Sequence, residues 1–166
     1  RSLSKIGLAG LRIGYIMTHP TLAAELEKVR LPFNVNAFSQ AAGVVLLAHR
    51  EWMDTNVREV LRERARVERR LVGLAGLEVF PSEANFVLFR TRLPGAHVFE
   101  GLLAEGILVR NLGSVPGLSN CLRVTIGTAE ENDRFLDGVT GVMTQYERRD
   151  VRGARCEGDM KKAEIG

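Results

Sequence analysis

Lys5 lies between Ser4 and a run of small and apolar residues, with Ser2 three positions before it and Arg12 seven positions after it. A lysine in such surroundings is expected to be partly desolvated, which favours the neutral amine and so carbonyl chemistry. The two hydroxyls, the guanidinium and the backbone N–H groups of a loop containing Gly7, Gly10 and Gly14 suit a dianionic phosphate. An aldehyde with a phosphate tail needs an amine at one end and such a cradle at the other, and pyridoxal phosphate has that form. A turn followed by a surface lysine would satisfy the same residues, so the loop alone leaves both readings open.

Other chemistry-bearing residues are sparse. His19, His49 and His97 are widely separated and share no metal-ligand spacing, so no metal is expected. Cys121 and Cys156 are too few and too far apart for a disulfide framework, which fits a reducing, cytoplasmic setting. The net charge of +3 comes from 23 basic and 20 acidic residues. The Arg58–Arg70 run is interrupted by Glu59, Glu63 and Glu68, so it reads as a solvated helix face and gives no nucleic-acid signal. No apolar run reaches the ~20 residues of a membrane span, and the start lacks the apolar segment of a signal peptide. The absence of an initiator Met and the immediate opening on the lysine loop suggest a fragment whose N-terminal portion is missing.

The elements that must position these residues follow from apolar spacing and capping. Gly14–Met17 reads as a short buried strand. Leu22–Val29 reads as a helix with Thr18 or Thr21 as its N-cap, broken by Pro32. Ser39 to about His49 reads as a helix packed on several sides, and Glu51–Val72 as a long helix with Val57, Leu61, Ala65 and Val72 near one stripe. Leu77–Phe80, Asn85–Phe89, Ile107–Arg110 and Cys121–Ile126 read as strands, with Ala96–Glu105 as a short helix among them. Thr128 and Glu131 form a capping box for a last helix, Glu130 to about Tyr146. The result is an α/β arrangement. Beyond Glu147 little can be buried, and residues 148–166 are expected to form a disordered tail. By residue type alone, Arg123 would be an edge-strand arginine reaching solvent, and Asn85 an amide bonded to backbone.

Ser2-Leu3-Ser4-Lys5 followed by Gly10-Leu11-Arg12-Ile13-Gly14-Tyr15 resembles the lysine motif of fold-type I pyridoxal-phosphate aminotransferases. Leu31–Asn36, Ser82–Phe86 and Cys121–Thr128, in that order, narrow the resemblance to the histidinol-phosphate aminotransferases. It covers Arg1 to about Tyr146. It implies that residues 1–50 close the large cofactor domain and that 51–147 form the small C-terminal α/β domain. It also implies that Lys5 binds the cofactor covalently and shuttles a proton, while Ser2, Ser4 and Arg12 hold the cofactor phosphate. Arg123 would take the glutamate carboxylate and face the phosphate of histidinol phosphate, with Arg110 assisting. Phe33 sits where many relatives have Tyr, and the Lys5–Arg12 spacing is one residue shorter than in the aspartate aminotransferase branch, which calls for a tighter loop.

The same resemblance implies a homodimer and a reversible amino transfer between glutamate and imidazole-acetol phosphate. The aspartate for the pyridine nitrogen and the stacking aromatic would lie upstream of this lysine, so the isolated chain is expected to be weakly active or inactive. A threonine-phosphate decarboxylase or an aromatic amino-acid aminotransferase would share most of these residues. A non-catalytic folding or binding fragment is the alternative from another class.

Overall fold

The computed structural model describes the backbone of residues 2–163 and the side chains of residues 2–146. The chain divides into two compact units, Arg1–Arg62 and Glu63–Gly166.

The first unit begins with the lysine loop and continues through helices α1 (Pro20–Val29) and α2 (Ala37–Ala48) into α3 (Arg50–Val72). Helix α1 starts earlier than its apolar stripe suggests. Pro20 needs no N–H partner in the first turn and its φ is preset for helix, so it opens the element. His19, rather than either threonine, is the cap: its Nδ1 accepts the Thr21 N–H at 3.4 Å. Asn36 caps α2 by accepting from the Ser39 N–H at 2.8 Å. His49 ends α2 and stacks on Trp52 at 5.1 Å, which fixes the one-residue break before α3.

Two expectations for this unit fail. Gly14 makes an isolated bridge to Ser2, and Tyr15, Ile16 and Met17 are exposed, because among the described residues no neighbouring strand pairs with the segment. Helix α2 is not packed on several sides: it buries only Ser39 and Gly43 and leaves Phe38, Val44, Val45 and Leu47 in the open.

The second unit holds a four-stranded antiparallel sheet of β1 (Leu77–Phe80), β2 (Phe86–Thr91), β3 (Arg110–Asn111) and β4 (Cys121–Thr125), in the order β1-β2-β4-β3. Burial alternates along β2, with Val87, Phe89 and Thr91 turned to the core. Leu122 and Val124 of β4 lie on the same side, and α4 (Gly95–Ala104) and α5 (Ala129–Ala163) complete the core. Phe89 meets Phe135 of α5 at 6.0 Å between ring centres. The opposite face carries Phe80, Phe86, Leu88, Arg90 and Arg123, all half-buried, with Arg110 exposed.

Strand β3 is shorter than expected because Ile107–Val109 make no ladder. The capping box forms as expected, the Thr128 N–H donating to Glu131 at 2.8 Å and the Glu131 N–H to Thr128 at 3.3 Å. Helix α5 runs past Tyr146 to Ala163, so over 148–163 the expected disordered tail is helical backbone. The Arg, Glu, Lys and Ala there favour extension of a helix already nucleated. Residues 164–166 of that tail, and the side chains from 147 onward, lie outside the described residues.

The buried stripe of α3 is Glu63, Val67 and Leu71, whereas Leu61 and Val72 are exposed. Glu63, 2% exposed, accepts from Asn132 Nδ2 at 2.9 Å and pairs with Arg66 at 2.6 Å, and Arg66 also pairs with Asp133. These bonds, to Glu63 first and Asp133 second, hold the Arg66 guanidinium above its ordinary range and join α3 to α5.

Candidate active site

The lysine loop is closed on itself. Ser2 bridges Gly14 in antiparallel fashion, and the Leu3 N–H donates to the Ile13 carbonyl at 3.1 Å. Between these ends the chain makes two 3-10 turns, Leu3–Ile6 and Ala9–Leu11. Gly7 ends the first with φ 88°, and Arg12 follows the second with φ 57°, both left-handed. Those tight turns accommodate the short Lys5–Arg12 spacing that the sequence required. Gly43 of α2 lets Ile13 approach closely: a Cβ there would meet Ile13 Cδ1 at 3.1 Å. Leu3, 5% exposed, is the buried apolar side chain that anchors the loop.

Ser2 and Ser4 are brought together, with their hydroxyls 2.9 Å apart and the Ser4 N–H donating to Ser2 Oγ at 3.2 Å. Arg12 folds back to donate from Nη1 to the Ala9 carbonyl at 3.3 Å, which orients the guanidinium on its own turn. Lys5 is exposed, contrary to the expected partial desolvation, because the small residues around it are too short to cover its stem. The donor set fits a phosphorylated aldehyde: two adjacent hydroxyls and a guanidinium for the phosphate, and an exposed amine for the carbonyl.

Phe33 is 96% exposed and adopts φ 57°, a left-handed conformation that a bulky residue rarely takes. It lines a cavity of about 700 Å³ with Leu3, Ile13, Asn34, Val44 and Leu47.

Arg110 and Arg123 lie directly opposite each other in the β3–β4 ladder. Their side chains therefore leave the same face of the sheet. Arg123 is on an interior strand, not an edge. Its guanidinium lies 4.9 Å from the Phe86 ring centre, and its Nε is buried without a hydrogen-bond partner. Asn85 also departs from expectation: its backbone carbonyl accepts from the Ile126 N–H at 2.9 Å, but its side-chain Oδ1 is buried and unpartnered. Two like charges opposed on neighbouring strands destabilise the ladder unless an anion joins them. The sequence reading missed the Phe86 ring under Arg123; the visible signal was an aromatic beginning the strand that pairs with Arg123's own.

The model of aminotransferase class I and II matches residues 1–139. The chain belongs to this aminotransferase family. A histidinol-phosphate aminotransferase of Aquifex aeolicus (strain VF5) is 46% identical over 140 residues, covering 84% of this chain and 40% of that protein. Histidinol-phosphate aminotransferase 2 of Nitrosococcus oceani is 46% identical over 138 residues, covering 82% of this chain and 38% of that one. The chain thus spans about two fifths of the length of these relatives.

Among solved structures, the Sinorhizobium meliloti histidinol-phosphate aminotransferase in complex with pyridoxal-5'-phosphate superposes with a TM-score of 0.76 at 28% identity, over 87% of this chain and 40% of that one. The L-threonine-O-3-phosphate decarboxylase of Porphyromonas gingivalis superposes with a TM-score of 0.74 at 27% identity, over 86% and 45%. The α/β fold of this chain is therefore the fold-type I arrangement expected from the lysine motif.

Proposed function

We propose that the chain carries the cofactor lysine and the substrate arginines of a pyridoxal-phosphate-dependent transaminase that moves an amino group between glutamate and imidazole-acetol phosphate, in histidine biosynthesis. The observation that carries the reading is the closed loop around Lys5, in which the Ser2–Gly14 bridge and two tight turns draw the backbone round and the Ser2 and Ser4 hydroxyls meet at 2.9 Å. The substrate assignment rests on the names of the relatives at 46% identity.

In this reading Ser2, Ser4 and Arg12 bind the cofactor phosphate. Pyridoxal phosphate, when bound, supplies an electrophilic aldehyde and an electron-withdrawing ring. Lys5 Nζ would hold that aldehyde, and its amine would move the proton at the substrate Cα. Arg123 and Arg110 grip the anionic end of the substrate; a planar guanidinium fork accepts a carboxylate or a phosphate, as the two half-reactions require. Phe33 completes the substrate side through its ring alone. The first fifty residues serve the cofactor domain and 51–147 the small domain. The active species is a cytoplasmic homodimer; among the described residues no helix is long and apolar enough to cross a membrane.

The test follows both half-reactions by absorbance, on this chain and on one extended upstream to the length of its relatives, using glutamate and then histidinol phosphate as donor. Amino transfer with both donors, reduced at least ~100-fold by Arg123→Gln in the active form, is the expected result. The superposition on a threonine-phosphate decarboxylase favours one second reading, decarboxylation of an amino-acid phosphate. Carbon dioxide released from threonine phosphate, without amino transfer from glutamate, would select it.

A further inference from the structure

We infer that Phe86 is a positioning residue for anion recognition: its ring fixes the plane of the Arg123 guanidinium so that the outward nitrogens present a ready fork. The inference rests on the reading of Arg123 as an anion-binding residue and goes beyond it by naming what orients that side chain.

Phe86 and Arg123 are diagonal neighbours, since Leu88 is opposite Arg123 and Phe86 opposite Thr125. The guanidinium carbon sits 4.9 Å from the ring centre. Among the described residues no carboxylate lies within ion-pair distance of Arg123, and its Nε is buried without a hydrogen-bond partner. The ring is thus the contact that holds this charge in place, while Arg110 faces it from β3. Arg90 shows the contrast on the same face. It too lies over a ring, Phe80 at 5.1 Å, but it is neutralised by Glu78 at 2.8 Å. One stacked arginine is satisfied within the chain and the other is left to a ligand.

The backbone under Phe86 is braced from three directions. Ser82 Oγ donates to the Phe86 carbonyl at 2.6 Å and accepts from the Ala84 N–H at 3.2 Å. Arg64 Nη1, from α3, donates to the Ala84 carbonyl at 2.9 Å. The Ile126 N–H, from the end of β4, donates to the Asn85 carbonyl at 2.9 Å. A ring on so constrained a turn pre-pays the ordering of a long, flexible arginine, and the saving is realised as tighter anion binding. Stacking on the ring face also leaves the in-plane N–H donors free to bond the anion.

The experiment titrates inorganic phosphate into the 166-residue chain and follows the Arg123 Nε–Hε NMR signal, assigned by its loss in Arg123→Lys. Phe86→Leu keeps an apolar side chain and removes the ring; Phe86→Tyr keeps the ring. Phosphate is expected to shift the wild-type signal, with affinity about five-fold weaker in Phe86→Leu and within two-fold of wild type in Phe86→Tyr, the melting temperatures being matched. Equal affinity in Phe86→Leu and wild type would overturn the positioning role while leaving Arg123 as an anion ligand. No phosphate-dependent shift in the wild type would sink the reading of Arg123 itself. Should Phe86→Leu fail to fold, the wild-type signal alone decides: a ring-current displacement with slowed rotation about Nε–Cζ supports the stack, and a random-coil signal overturns it.

Discussion

Glu63 shows how one buried charge can be more demanding than any exposed ion pair on the same helix. It is 2% exposed and is satisfied by Arg66 on its own helix and by Asn132 on α5. Removing it takes away the buried partner of both groups, leaving Arg66 to Asp133 and the Asn132 amide to the Gly127 carbonyl. Glu63→Ala is therefore expected to cost about 3 kcal/mol, read as a shift of the urea midpoint at constant slope. Removal of Glu59, whose pair with Arg62 is solvated, should cost well under ~1 kcal/mol. In sequence the two glutamates are equivalent members of one Arg/Glu run. Their difference comes from α5 packing against a single helical face, which no local spacing of charges can reveal. The meeting of the Ser2 and Ser4 hydroxyls at 2.9 Å has the opposite origin: it is set within one short loop, where residue type and spacing suffice.

At the scale of elements, chain-local signals carried and long-range ones did not. The Thr128–Glu131 box and the strand expected over Asn85–Phe89 are written in neighbouring residues; the box forms as read, and the strand appears as Phe86–Thr91. The strand expected at Gly14–Met17 needed a partner at a distance, and none of the described residues supplies one beyond the single Ser2 bridge. Helix α4 illustrates a close approach that sequence does not announce. It begins at Gly95, whose N–H donates to Asn120 Oδ1 at 3.0 Å in place of a side-chain cap. A Cβ at Gly95 would stand 2.9 Å from Asn120 Cα, which is backbone and cannot swing aside. Gly95→Ala should therefore destabilise the second unit by about 2 kcal/mol. The loss should appear in thermal melts, while Gly10→Ala, with nothing within 4 Å, should leave them nearly unchanged.

Across the whole molecule, burial is uneven. Among the described residues, Leu3 is the buried apolar side chain of the first unit, and the others run from Val67 to Met143 in the second. Tyr15, Ile16, Met17, Phe33 and Phe38 remain in the open in the first unit. Stability scales with buried apolar area, so amide hydrogen exchange should be slow in β2, β4 and the first turns of α5 and fast through α1 and α2. Uniform protection along the chain would contradict that distribution. The Arg110–Arg123 pair belongs to the well-packed unit, and the Lys5 loop to the sparsely packed one. The fold class was legible because alternating helices and strands need only local pattern. The uneven burial was not, because apolar residues in α1 and α2 look like core residues in a string of letters.

Lys5 is the residue proposed to hold the cofactor aldehyde. The chain has only four lysines, so the role can be put as selectivity: mix the chain with pyridoxal phosphate, reduce with borohydride, and map the label among Lys5, Lys28, Lys161 and Lys162. Label is expected to concentrate on Lys5, to be displaced by inorganic phosphate and to be lost in Ser4→Ala/Arg12→Gln. Label spread evenly over the four lysines, or absent from Lys5, would contradict it.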